Sequence, residues 1–308
     1  MLDYKLLHAL VMVVQECGFD RAARSLHLTQ SAVSQRIRQL EEQTGQILLA
    51  RTTPPRPTMA GKRLIKHCHQ VMLMEAELDD IEGLSGSGEV RSISIGINAD
   101  SLATWFLTAV TPLLEIERIV LDIHVDDQDE THRLLRDGDV AGCISTRATS
   151  VQGCQAIPLG VMTYRLCASP SFASRHFPCG VTREAVSKAP VLLFNRKDRL
   201  SHRFMKTFLG MINDSFPRHY LPSSEKFVDF IAAGFAYGML PDLQTSTLRK
   251  KGHLVDLCPD IAVPVSLYWH CWGVAATPLK KLTAALSRGA SQLLAPPDSQ
   301  AAASIKAG

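Results

Sequence analysis

Apolar residues recur every three or four positions through the first third of the chain and then switch to alternation over short runs. Leu6, Leu7, Leu10, Val13 and Val14 share one face of a predicted first helix. In CGFDRAARSLHL, Ala22, Ala23 and Leu26 mark a short second helix with Asp20 as its expected N-cap. TQSAVSQRIRQLEEQTG, Thr29 to Gly45, predicts a third, capped by Thr29 and stopped by Gly45. At 100° per residue, Val33, Ile37 and Leu40 form a narrow apolar stripe, and Gln30, Ser31, Ser34, Gln35 and Arg38 fall in one contiguous polar sector. An ordinary solvated helix is one reading, although such helices usually carry Lys and Glu outside. The other is recognition of DNA, because short hydrogen-bonding side chains near a helix N-terminus suit close approach to base edges and phosphates. The adjacent alanines favour it, since they let two helices pack closely, as the first helix of a helix-turn-helix must.

ARTTPPRPT, Ala50 to Thr58, holds three prolines that exclude regular helix. It is either a rigid connector or an extended arm that brings Arg51 and Arg56 to phosphates or a minor groove. From Thr58 a long helix is predicted, with Leu64, His67, Val71, Met74, Leu78 and Ile81 spaced by three and four as one seam. The seam implies a partner helix: a second copy, which would supply a second recognition helix, or packing within the same chain. His67 and His69 stand two residues apart, on opposite sides of that helix, and cannot chelate a metal together. GLSGSGEV, Gly83 to Val90, reads as a flexible hinge.

Beyond it, strand-like RSISIGIN, IVLDIHVDD and AGCIST alternate with helix-like SLATWFLTAVTPLLEI and ETHRLLRDG, which predicts a mostly parallel sheet. A second set begins near Met162 with TYRLCAS, PVLLFN, SSEKFVDFIAAG and FAYGMLP. PVSLYWHCWG and a helix from Pro278 return to the first lobe, and the tail PPDSQAAASIKAG is expected to be disordered.

With 308 residues, two or three domains are expected. The net charge is only +3, yet through residue 65 nine basic residues face five acids, a local excess suited to phosphate attraction. No signal peptide and no apolar run of the roughly 18 residues needed for a membrane span is visible. The eight cysteines lack any CxxC pair, which fits neutral thiols in the cytoplasm. Phosphate-cradling glycine loops, zinc-ligand spacings and nucleophile motifs are missing, so an enzyme is disfavoured and no cofactor or metal is expected. A binding protein of this shape is usually exported, and an architectural DNA binder without effector control is a further alternative.

AARSLHLTQSAVSQRIRQLEEQTGQILLAR resembles the LysR-type transcriptional regulators, matching their AA-x2-L-x2-(S/T)-Q-x-A-(V/I)-S-x2-I-x2-LE signature densely. Ser31 departs from it where proline is common, and Thr44 where an apolar residue usually precedes Gly45. RTTPPRPT, NADSLATW, FPCGVTREA and LYWH extend the likeness to a branch that senses basic amino acids and controls an arginine or lysine exporter. The resemblance implies a winged helix-turn-helix over residues 1–58, a linker helix and hinge over 59–90, and an α/β, periplasmic-binding-protein-like effector domain over 91–295. Lobe I would take about 91–162 and 265–295, lobe II about 163–264, and residues 296–308 the tail. It further implies a homodimer or homotetramer on double-stranded promoter DNA, with Gln30, Ser31, Ser34, Gln35, Arg38, Arg51 and Arg56 as DNA contacts and Leu64, Val71, Met74, Leu78 and Ile81 at the dimer seam.

The same resemblance carries the effector site to Asn98, Asp100 and Ser101, to Ser145 and Thr146, to Phe194 and Asn195, and to Glu225. The local chemistry is compatible with an amino acid. The strand-to-helix turn at Asn98–Ser101 offers free N–H groups to a carboxylate, and Asp100, Asp127 or Glu225 would meet a cationic end. Asp100 as a simple N-cap and Asp127 as a solvated strand end are the alternatives. Asn195 and Arg196 stand where that branch has Asp and His, which should weaken preference for a cation.

Overall fold

The computed structural model describes residues 2–50, 52–75, 91–126, 131–198, 200–210, 216–274 and 276–296. Three helices open the chain: α1 (Tyr4–Gln15), α2 (Phe19–Ser25) and α3 (Gln30–Thr44). Their shared core holds Leu7, Leu10 and Val13 of α1, Ala22 and Ala23 of α2, and Val33, Ile37 and Leu40 of α3, all buried. Gly18, not Asp20, is the N-cap of α2; Asp20 lies inside its first turn, where a carboxylate still faces the positive helix end. The two-residue strands β1 (Leu49–Ala50) and β2 (Arg56–Pro57) pair antiparallel, so the proline-rich arm folds back as a wing. Helix α4 (Met59–Glu75) follows, capped by Thr58, whose Oγ1 accepts from the Gly61 N–H at 3.2 Å.

The buried face of α4 is Gly61, Ile65 and Cys68, packed on the N-terminal core. Leu64 is partly buried on that core, and His67 Nε2 lies 3.2 Å from Tyr4 Oη. Val71 is half-buried and Met74 exposed. Leu78, Ile81 and the glycine-serine hinge lie outside the described residues.

The remaining elements are β3 (Arg91–Asn98), α5 (Ala99–Ser101), a π-helical turn (Leu102–Phe106), α6 (Leu107–Ile116), β4 (Ile119–Asp126), α7 (Thr131–Asp137) and β5 (Gly142–Ser145). Strand β6 (Cys154–Ala168) leads to α8 (Pro170–His176), α9 (Arg183–Lys188), β7 (Val191–Leu193), α10 (Leu200–Leu209), β8 (Arg218–Tyr220) and α11 (Ser224–Ala232). Then come β9 (Gly238–Pro241), α12 (Asp242–Lys250), β10 (Val255–Asp256), β11 (Val263–Trp272) and α13 (Thr277–Leu293).

Among the described residues, the main sheet runs β10-β6-β11-β5-β3-β4, with β9 also on β6. Within this sheet only β3 with β4 and β3 with β5 pair parallel, and β6 and β11 are antiparallel to their neighbours; β7 and β8 form a separate parallel pair. The expected mostly parallel sheet is thus corrected to a mixed one. The reason is that β6 and β11, the two long strands, run through both lobes in opposite directions and bind them together over ten register pairs. A curled, two-lobed α/β domain results.

Helices α6 and α13 cross on one face of this domain at van der Waals contact. A Cβ added to Gly289 would meet Ala109 Cβ at 2.2 Å. Gly289→Val is therefore expected to lower stability by about 1–3 kcal/mol through overpacking, measurable as a reduced thermal midpoint. Burial pushes the Cys143 and Cys167 thiols up to about 12, consistent with neutral, unreactive sulfur. No helix among the described residues is long and apolar enough to cross a membrane.

Candidate functional site

Thr29 fixes the start of α3: its Oγ1 accepts from the Ala32 N–H at 3.2 Å and lies 3.0 Å from Ser31 Oγ. With Val33, Ile37 and Leu40 turned inward, Gln30, Ser31, Gln35 and Arg38 are exposed and Ser34 is half-buried. The five therefore share one accessible ridge. Glu41, which sequence reasoning passed over, ties the far end of α3 to the wing: its Oε1 accepts from the N–H groups of Leu48 (2.8 Å) and Leu49 (3.3 Å). Arg56 is exposed on β2; Arg51 lies outside the described residues.

The second feature is a cavity of about 680 Å³ between the two lobes. Asn98 and Asp100 reach it from the end of β3 and from α5, Asp126 from the end of β4 and Thr146 from just beyond β5. The opposite wall includes Phe194, α10 and the start of α11. At its centre Asp100 Oδ2 accepts from Tyr164 Oη at 2.7 Å and Oδ1 accepts from Ser224 Oγ at 2.6 Å. Gln244 Nε2 in turn donates to Ser224 Oγ at 3.2 Å. One carboxylate thereby joins lobe I, a crossing strand and lobe II. Asp100 is only half-buried because it faces the cavity, yet protein surrounds that cavity. Desolvation accordingly holds its carboxyl above the usual 3.8, against the lowering effect of the Ser224 and Tyr164 hydrogen bonds and with a small contribution from Asp198.

The other sequence candidates divide. Asn98, Thr146 and Phe194 line the cavity with Asp100. Asn98 is 2% exposed, and among the described residues neither atom of its carboxamide has a hydrogen-bond partner, so its carbonyl acceptor and NH2 donors are uncommitted. Ser101 and Ser145 are buried behind the cavity wall; Ser145 Oγ accepts from the Arg147 N–H at 3.3 Å. Asn195 turns back on its own loop, with Oδ1 accepting from the Lys197 N–H at 2.7 Å. Arg196 is exposed with its guanidinium 5.1 Å from the centre of the Tyr220 ring, so this substituted pair does not bring a base into the cavity. Glu225 is exposed and outside the cavity lining. Ser223 caps α11, and the next residue inward is Ser224, which leaves Glu225 rotated by a further 100° toward solvent. Asp127 lies outside the described residues.

Tyr164, Asp198, Ser224, Gln244 and the α10 side chains also line the cavity, and sequence reasoning missed all of them. The only signal was amphipathicity: residues 200–209 alternate buried Phe204 and Met205 with exposed Arg203 and Lys206.

A winged helix-turn-helix joined by a long helix to a two-lobed domain with a polar cavity defines a class: regulators that couple a small molecule to DNA. The family model described as bacterial regulatory helix-turn-helix protein, lysR family, matches residues 4–62, and that for the LysR substrate binding domain matches residues 86–286. The chain belongs to the LysR family and is an effector-responsive, DNA-binding transcriptional regulator, not an enzyme. It is 43% identical to the transcriptional regulator ArgP of Pseudomonas fluorescens strain Pf0-1, over 97% of this chain and 100% of that one. Over 91% of this chain and 93% of the other, it is 44% identical to ArgP of Pseudomonas aeruginosa strain PAO1. Among solved structures, ArgP from Mycobacterium tuberculosis matches with a TM-score of 0.85 and 38% identity, covering 96% of this chain and 100% of that one. Full-length LysG from Corynebacterium glutamicum with bound effector Arg matches at 0.76 and 31%, with the same coverage.

Proposed function

We propose that the effector is a basic amino acid, held in the interlobe cavity with its cationic group on Asp100, and that binding there alters promoter contacts made by the α3 ridge and the wing. The observation that carries this reading is the Asp100 carboxylate, desolvated and shared by both lobes. A carboxylate offers about four acceptor positions, and Tyr164 and Ser224 occupy two. An ammonium or guanidinium group fills the rest and favours the ionised state that burial disfavours. Bound arginine in the LysG structure supports the same ligand chemistry. Regulation of an amino-acid exporter and residence in the cytoplasm complete the proposal. So does assembly of dimers or tetramers through the part of α4 around Val71 and Met74. Calorimetric titration of the full chain with each amino acid tests the effector: heat from lysine or arginine is expected, and heat from neutral or acidic ligands alone overturns it.

For the DNA surface, Ser34→Ala is expected to relax base preference at a cost of about 1–3 kcal/mol. Arg56→Ala is expected to weaken most sequences alike and to lower the salt slope by about one. Gel-shift titrations over a salt series separate the two. A variant that leaves both affinity and preference unchanged removes its residue from the contact set.

A further inference from the structure

Helix α10 brings two cations to the cavity. Arg203 and Lys206 stand three residues apart, hence on one face of the helix, and both line the cavity while remaining exposed at its edge. Among the described residues neither makes a salt bridge, whereas several other cations of this domain do. The nearby acid, Asp198, is committed to its own backbone: its oxygens accept from the N–H groups of Phe194 (3.1 Å) and Leu200 (3.0 Å). Across the cavity, the strand-to-helix turn at Asn98–Ser101 is occupied by the Asp100 carboxylate itself, engaged by Tyr164 and Ser224. A ligand carboxylate placed at that turn meets a like charge, and Asn98 is neutral and cannot offset it. The cavity is thus polarised, acidic on the lobe I side and basic along α10.

We propose that Arg203 and Lys206 bind the effector's carboxylate, so that the cavity selects an amino acid over the amine bearing the same side chain. The inference rests on the basic-amino-acid reading above and adds the second pole. It also gives lobe II a ligand contact of its own, since Asp100 belongs to lobe I and α10 to lobe II.

Arginine and its decarboxylated analogue agmatine, titrated calorimetrically into the full chain, test it. Wild-type protein is expected to bind arginine at least about tenfold more tightly than agmatine, the size of one charge-assisted hydrogen bond. Arg203→Gln combined with Lys206→Gln is expected to weaken arginine about tenfold or more and to leave agmatine within about threefold, as both positions are exposed and the fold does not depend on them. Retained agmatine binding also shows that the variant is folded. Equal wild-type affinity for the two ligands, parallel loss of both in the variant, or unchanged arginine binding overturns the assignment of α10. Wild-type protein that binds neither ligand overturns the basic-effector reading itself, and this inference with it.

Discussion

Asp100→Asn is expected to weaken basic amino acids by about 100-fold or more while making the ligand-free protein more stable. The two effects share one cause. The carboxylate is desolvated between the lobes, which raises its pKa above 3.8 in the folded chain. Truncating one member of a buried, hydrogen-bonded charge pair costs about 2–5 kcal/mol of binding, which sets the size of the loss. Asparagine keeps the shape and can accept from one hydroxyl and donate to the other, so the Tyr164 and Ser224 contacts retain partners. For an acid with a raised folded pKa, the favourable contribution is complete below the unfolded value and is lost as pH rises through the folded value. Ligand-free wild-type protein should therefore gain stability as pH falls through that raised value toward 3.8, and Asp100→Asn should abolish this dependence. An upward shift of the thermal midpoint by about 2–4 °C corresponds to roughly 1 kcal/mol in a domain of this size. Thermal melts across pH, with and without arginine, measure both effects. Unchanged arginine affinity in the variant removes Asp100 from the site.

Lys62→Glu is the second substitution expected to act strongly, on coupling between the two modules. Lys62 of α4 and Asp137 at the end of α7 form a half-buried ion pair with Nζ–Oδ2 of 2.7 Å and side-chain exposures of 28% and 13%. The contact is wider than the pair. Gly138, at φ +86°, lets Lys66 pack so closely that an added Cβ would meet Lys66 Cβ at 2.5 Å. His69 stands beside the Gly138 backbone, which works against the lowering of its imidazole pKa by burial, and Leu73 lies on the core of the effector domain. At its other end α7 is tied to the cavity wall, since Thr131 Oγ1 donates to the Ile144 carbonyl at 2.8 Å, two residues before Thr146. A displacement of that wall by ligand therefore has a packed route to α4 and the DNA-binding helices. Coupling energies of this kind are typically about 1–3 kcal/mol, or 5- to 150-fold in affinity.

The expected result is that Lys62→Glu reduces the effector dependence of DNA binding at least about fivefold, while effector affinity measured without DNA stays near wild type. Exchanging the charges, Lys62→Asp with Asp137→Lys, should restore it. A single reversal that leaves effector dependence intact would show that the α4–α7 contact carries no signal. Burial alone would raise the Asp137 carboxyl, but the hydrogen bond and charge of Lys62, aided by Arg136, hold it below 3.8. Its stabilising share is thus present above 3.8 and lost only as pH falls through the lowered value.

How much of this was legible depended on how far apart the participating residues lie. Helix α3 was readable to the residue, caps included, because its period, the Thr29 hydroxyl and the left-handed Gly45 are local features. The face of α4 was harder. Its seam was read from spacing alone, whereas the chain buries Gly61, Ile65 and Cys68 and already uses Leu64 and His67 against α1 and its core. Strand β6 showed only its second half, because Pro158 and Gly160 interrupt the alternation before it. Asp100 stood out on a recognisable strand-to-helix turn, but its partner Ser224 is 124 positions away, and nothing nearby distinguished that serine from Glu225 beside it.

The sequence alone therefore determined the DNA-binding module, the order of modules and the strand-to-helix turn at Asn98–Ser101. Each is set by side-chain periodicity and capping within about a dozen residues. Tertiary structure decided the antiparallel course of β6 and β11, the sharing of Asp100 by two lobes and the approach of α10 to the cavity. Those arrangements bring together side chains from distant segments, and their energies depend on burial and distance, which no local pattern encodes.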